Sequence, residues 1–274
     1  MPVKGIKQAV SDILIPQFDG KRNAVFDCTI KGLKKTLELL NEEDIKCTFF
    51  IEARTLLYLQ ENQYELVKPL LINEIGCHGM DHEDLTGEGT GVKIDYAQQL
   101  KILKEATQII KNVLNVEPEG FRAPYLKANS DTFKVLAELK YRYDSSIMME
   151  TIEPPLPYRI KEGKNSIIEV PIPVYPLNPR KMTLYTWALF EKQRKIEEYQ
   201  KIIKIYQKNA KGGLLQIAFH PWHLAYLIKE KRILKEKEIE KNVNHLRTLI
   251  SQLKKEDNQI LTVKEYIKNE NIIL

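Results

Sequence analysis

Short apolar runs alternate with amphipathic segments along almost the whole chain. "NAVFDCTI" (23–30) reads as a buried strand that ends on a carboxylate. "KGLKKTLELLNEED" (31–44) follows with Leu33, Leu37 and Leu40 at helical spacing. "KCTFFIEA" (46–53) and "EIGCHG" (74–79) read as further strands, separated by helical segments. The stretch 94–115 is a long periodic helix with Leu100, Leu103, Ile110 and Leu114 along one stripe. After "PEGFRAPY" (118–125), a helix starts near "NSDTFKVLAELK", capped by Asn129, Ser130 or Asp131. "YRYDSSI" (141–147), "SIIEVPIP" (166–173) and "GGLLQIAFH" (212–220) read as strands. Helices are expected over about 189–209 and 229–256, the Pro-rich segment 150–182 reads as irregular, and "QILTVKEYI" closes the pattern.

Strands alternating with helices predict an α/β protein with a parallel sheet and crossover helices. Seven or eight such units fit a distorted (β/α) barrel better than an open doubly wound sheet. No repeat or domain boundary is evident, so residues 1–274 are expected to form one domain. No strand leads into G-x-G-x-x-G or a Walker lysine, which argues against a nucleotide-binding fold. "GEGTG" (87–91) reads as a flexible loop beyond a strand end rather than a phosphate cradle.

Composition narrows the classes. The chain is 43% hydrophobic and 29% charged, ordinary for a globular protein. Its net charge of +5 comes from 42 basic and 37 acidic residues that are interspersed, so no nucleic-acid partner is expected. Three cysteines with no C-x-x-C spacing argue against a disulfide framework and a zinc knuckle. No stretch approaches the roughly 18 apolar residues of a membrane span. The first 17 residues lack a signal-like apolar core, and the expected compartment is the cytoplasm.

In a (β/α) barrel, catalytic groups stand at the carboxyl ends of strands. Asp27, His78, Arg122, Asp144 and His220 all fall at or just past the ends of apolar runs. His78 and His82 in "HGMDH" are four apart, which on a helical turn puts both imidazoles on one face, close enough to share a metal. The chain has five histidines, and four of them sit in "HGMDH" and "FHPWH" (219–223). His220 suits a general acid, since histidine titrates near neutral pH. In "FRAPY" (121–125), Arg122 is placed to clamp a carboxylate such as Asp144. Pro124 stiffens the turn and aims the Tyr125 backbone N–H, as an oxyanion donor requires.

The ordered set "FD", "HGMDH", "FRAPY", "YDSS", "IIEVPIP" and "FHPWH", spread over about residues 23–266, resembles the polysaccharide deacetylase (NodB-homology) family. The resemblance implies hydrolysis of amide bonds in N-acetylated amino sugars or related small amides. It implies that His78 and His82 bind a divalent metal and that Asp27 is the general base, held in place by Arg122. It further implies that Tyr125 lends its N–H to the oxyanion, that Asp144 is a supporting carboxylate and that His220 is the general acid. A saccharide or small-molecule substrate is the expected partner.

The departure from the family is Cys28, which stands where the common T-F-D-D-G pattern has a metal-binding aspartate. Three readings are open. Cys28 is a thiolate ligand, which favours zinc. Asp27 is itself the ligand, and water or Asp81 supplies the base. Or no metal binds, and the protein binds a sugar or small amide without efficient turnover.

Overall fold

A computed structural model describes residues 22–177, 181–209, 212–255 and 258–269. The first 17 residues, and with them the expectation about a leader, lie outside these. Helix α1 (Arg22–Glu42) leads into strand β1 (Thr48–Ile51) and helix α2 (Ala53–Asn62). One turn of helix, α3 (Val67–Leu70), precedes β2 (Glu74–Cys77). The long α4 (Tyr96–Leu114) precedes β3 (Gly120–Phe121), and α5 (Ser130–Glu138) precedes β4 (Tyr143–Asp144). Then come β5 (Met148–Glu150), β6 (Tyr158–Glu162), β7 (Asn165–Glu169), β8 (Ile172–Tyr175) and β9 (Met182–Thr183). Helices α6 (Trp187–Phe190) and α7 (Ile196–Asn209), the ribbon β10 (Tyr226–Leu227) and β11 (Arg232–Ile233), and helices α8 (Glu236–Leu253) and α9 (Val263–Asn269) complete the chain.

The main sheet runs β1–β2–β3–β4–β7–β6. Its first five strands are parallel, and β6 returns antiparallel on β7. Strands β5, β8 and β9 form a separate small sheet. The α/β class is as expected. The parallel ladder is a five-stranded arc with an antiparallel edge, not seven or eight strands, among the described residues.

Local chemistry explains the elements the pattern predicted. Asp95 and Gln98 form a capping box at the start of α4, and Asn115 ends it in the left-handed conformation. Leu103, Ala106, Ile110 and Leu114 are buried along its stripe. Each buried Leu or Ile contributes roughly 1.5–3 kcal/mol. For α5 the cap is Asn129, whose side chain accepts from the Thr132 amide.

Four expectations are corrected. Residues 23–30 are the first turns of α1, not a strand. The buried positions Cys28, Gly32, Leu33, Thr36 and Leu39 recur at helical spacing, so the stripe seen downstream already begins at Cys28. Residues 212–220 form no strand, and their backbone ladder is a single parallel bridge, Ala218 to Tyr185. The stretch 150–182 is less irregular than expected, since β6 and β7 make a hairpin across Gly163–Lys164, with Gly163 at φ 61°. The helix expected over 189–209 is split, with Lys192 at φ 58° between α6 and α7.

Candidate functional site

The parallel strands end in register. Ile51, Cys77, Phe121, Asp144 and Glu169 pair across the sheet as one row. The hydrogen bonding continues one residue further. His78 N–H donates to Ile51, Arg122 N–H to Cys77, Ser145 N–H to Phe121 and Val170 N–H to Asp144, at 2.8–3.1 Å. Glu52, His78, Arg122, Ser145 and Val170 therefore form the next row, at the carboxyl edge of the sheet. Paired positions in neighbouring strands share a face.

The segment 78–82 is a bend, not the helical turn its spacing suggested. Gly79 and His82 both take positive φ, 80° and 59°. The Glu83 carboxylate folds the bend by accepting from the Met80 and Asp81 amides at 3.0 and 2.6 Å. Ala53 and Arg54 N–H donate to the Gly79 and Met80 carbonyls at 3.1 and 3.0 Å. The Arg54 guanidinium pairs with Asp81 through two hydrogen bonds. The start of α2 is thus tied to the histidine bend. Asp81, considered above as a base, is engaged in this ion pair.

The next stretch is anchored as well. Asp84 accepts from the Thr86, Gly87 and Gly89 amides at 2.8–3.1 Å and pairs with Lys127 at 2.8 Å. The Gly-rich loop 87–91 is wrapped around a buried carboxylate.

His78, His82 and His220 come together, with one potential ligand nitrogen from each within 4.8 Å of the others. Their ring centroids lie 4.8, 5.1 and 5.7 Å apart. His78 Nδ1 is 2.6 Å from the Arg122 carbonyl, which can only accept, so Nδ1 carries the proton and Nε2 is free to ligate. Burial, then the neighbouring imidazoles, hold His78 well below the usual histidine range. Burial lowers His82 to about 4, and burial with the nearby His82 lowers His220 to about 4. All three imidazoles are neutral at pH 7, the state a metal requires. The Tyr125 ring packs edge-on to His82 at 4.7 Å, and Tyr125 takes φ 58°, a strained conformation for a non-glycine residue.

Arg122 is buried and lies 4.4 Å over the Phe50 ring. Its guanidinium donates to the Ser145 carbonyl, the Ser145 hydroxyl and the Gln216 side chain. It does not clamp Asp144 or Asp27, as the sequence suggested. Asp144 instead hydrogen-bonds to Glu169, its partner in the row, and accepts from the Ser146 amide and hydroxyl. Burial, then the Asp144 charge, pushes Glu169 up to about 11, so this carboxyl stays protonated.

Asp27 and Cys28 do not join the histidines as ligands. Asp27 is exposed on α1. Cys28 is 1% exposed, packed in an apolar cluster with Leu39, Leu189 and Leu224. Burial, then the Asp27 charge, raises its thiol to about 11, which disfavours the thiolate a metal ligand needs. His220 occupies the place in the group that the sequence offered to Cys28.

Two residues at the site went unread in the sequence. Glu52 directly follows the apolar run "TFFI", and a carboxylate at a strand end was the available signal. Gln216 links Arg122 to the Val170 and Pro171 carbonyls and thereby holds the segment before His220. Nothing in its sequence context marks it.

Fold and site together define an α/β protein with a three-histidine candidate metal centre at the carboxyl ends of its parallel strands. Residues 25–143 match the model of the polysaccharide deacetylase family. The chain is 28% identical over 121 residues to a peptidoglycan deacetylase-like protein of Gibberella zeae and 23% identical over 132 residues to a peptidoglycan deacetylase of Helicobacter pylori. These matches cover 42% and 48% of this chain but 32% and 41% of those proteins. Among solved structures, a Mycobacterium smegmatis protein assigned by inference as a polysaccharide deacetylase superposes with a TM-score of 0.63 at 21% identity, over 88% of this chain and 77% of that one. A 4-α-glucanotransferase from Thermococcus litoralis reaches 0.66 at 14% identity, over 91% and 38%. The Xyl-CE4 domain of a xylanase from the hindgut metagenome of Trinervitermes trinervoides reaches 0.51 at 14% identity, over 87% and 84%. These likenesses are of fold.

Proposed function

We propose that the protein is a metal-assisted amide hydrolase that removes the acetyl group from an N-acetylated amino sugar or a related small amide. The observation that carries this reading is the group of three neutral imidazoles at the strand ends, two of them inside the segment that matches the deacetylase family. Three nitrogen donors suit a catalytic divalent metal, zinc first among them, which would keep a fourth position for water. When bound, such a metal lowers the pKa of a water and polarises an acyl carbonyl.

The protein's own groups have separable tasks. His78, His82 and His220 would hold the metal, with His220 as third ligand rather than the separate acid the sequence suggested. The Arg122 carbonyl fixes the His78 ring. The Arg122 guanidinium, through Ser145 and Gln216, keeps the ends of β3 and β4 and the approach to His220 in one arrangement. Tyr125 covers His82, and its main-chain N–H is the candidate oxyanion donor. A cytoplasmic, soluble acetylated sugar is the substrate we favour.

Purified protein should hold about one divalent metal per chain and release acetate from N-acetylglucosamine oligomers or a small N-acetyl amide. His78→Ala and His82→Ala should each abolish metal binding and reduce acetate release by at least about 100-fold. Wild-type protein free of metal after incubation with zinc would sink the reading. A second reading, a fold that binds such a ligand without turnover, is supported by the absence of Asp27 and Cys28 from the ligand group. Saturable sugar binding with no acetate release would favour it.

A further inference from the structure

Hydrolysis of an amide needs a side chain that takes a proton from water and one that returns a proton to the amine. Asp27 sits exposed on α1, Asp81 is paired with Arg54, and Asp144 is buried against Glu169. Glu83 holds the histidine bend and Asp84 is paired with Lys127, so among the described residues one carboxylate is left at this edge of the sheet. Glu52 follows Ile51 at the end of β1, in the same row as His78. Neighbouring parallel strands are about 4.8 Å apart, and paired positions face the same way. The Glu52 side chain therefore emerges beside that of His78.

Glu52 is also held in that place. The residues on either side of it are tied to the histidine segment, since Ile51 accepts from His78 N–H and Ala53 and Arg54 donate to Gly79 and Met80. Its charge is felt by His220 and by Tyr125. It lies outside the group of nitrogens within 4.8 Å, so it is a neighbour of the ligands and not one of them. A purely structural role accounts for it poorly. Glu52 occupies the N-cap of α2, yet its side chain bonds to no backbone amide there, and glutamate is not a favoured cap. Its side-chain hydrogen bond is from the Thr55 hydroxyl, to Oε2 at 2.9 Å.

We propose that Glu52 is a catalytic carboxylate of this site. It accepts a hydrogen bond from the attacking water, takes the proton as the water oxygen bonds to the acyl carbon, and gives that proton to the amine nitrogen as the C–N bond breaks. The water's oxygen and remaining hydrogen end on the acid product, and the electron pair of the broken bond ends on nitrogen. This assignment rests on the metal-assisted amide hydrolase reading.

The test compares Glu52→Gln, Glu52→Asp and, as a control for lost negative charge on α2, Glu61→Gln in the full chain. Co2+ affinity of the metal-free protein is measured by competition with a coloured chelator, and acetate release is measured on whichever amide the wild type turns over. Glu52→Gln should keep one Co2+ per chain and bind it about tenfold more weakly, because a negative charge that reaches His220 is lost beside the cation. Its kcat should fall at least about 100-fold with KM within about threefold. Glu52→Asp should recover part of the lost kcat, and Glu61→Gln, which removes an exposed carboxylate at the far end of α2, should stay within about threefold of wild type. Unchanged Co2+ affinity in Glu52→Gln, a kcat within threefold of wild type, or the same losses in Glu61→Gln would overturn the assignment. If the wild type binds Co2+ but cleaves none of the amides, the hydrolase reading fails. The Co2+ comparison then still decides whether Glu52 belongs to the centre.

Discussion

Asp27 and Cys28 are neighbours in sequence and occupy different faces of α1, one exposed and one packed among leucines. Cys28→Ala should therefore cost about 1–2 kcal/mol of stability, as expected for removing a packed atom from a core. Metal content should not change. Equilibrium urea unfolding and metal analysis on the same preparation check both halves, and loss of metal would restore Cys28 as a ligand. At this scale the histidines were readable, because four of five fall in two short clusters that end apolar runs. Glu52 was hidden by its surroundings. A lone glutamate between "TFFI" and a helix looks like any charged residue at a helix start, and only the register of β1 against β2 places it beside His78.

Helix α1 packs so closely on the turn that follows His220 that a Cβ on Gly32 would lie 1.8 Å from the Pro221 carbonyl oxygen. Gly32→Ala must push helix and turn apart, at a cost of roughly 1–3 kcal/mol or more. Thermal unfolding should show a markedly lower midpoint. Metal affinity should drop with it, because His220 adjoins Pro221 in the chain. Elements with a full set of local signals were legible. Helices α4 and α5 carry both an apolar stripe and a cap, and β1 and β2 are short runs of strand formers. Residues 23–30 were not, since a brief apolar run reads equally as strand or buried helix. The β6–β7 hairpin carried a glycine at its two-residue turn, but the surrounding prolines masked it. The run 212–220 is apolar enough for a strand, yet Gln216 bonds to the neighbouring chain through its side chain where a strand would use its backbone.

The molecule as a whole carries two opposed sets of buried titratable groups. Glu169, raised from 4.5 to about 11, keeps its proton in the folded state, whereas the unfolded chain loses it above about pH 4.5. The folded state then binds more protons, so this group removes stability as pH rises, by up to about 1.4 kcal/mol per pH unit. His82 and His220, lowered to about 4, act in the other direction and remove stability only as pH falls from about 6.5 toward 4. Between pH 7 and 9 the Glu169 effect stands apart from that of these two histidines. Glu169→Gln keeps a donor for Asp144 and does not titrate. Its urea-unfolding stability relative to wild type should rise steadily over that interval, and a constant difference would refute the protonated pair.

The carboxylate of Asp84 gives the loop 84–91 an internal scaffold, although the loop has no helix or strand. The Gly87 and Gly89 amides should resist deuterium exchange as firmly as many strand amides. Lys127→Ala should release them and open the segment to proteolysis. In the native protein a substrate of the proposed reaction that passes this loop would meet a rigid wall, and shape rather than motion of the chain would decide what fits there.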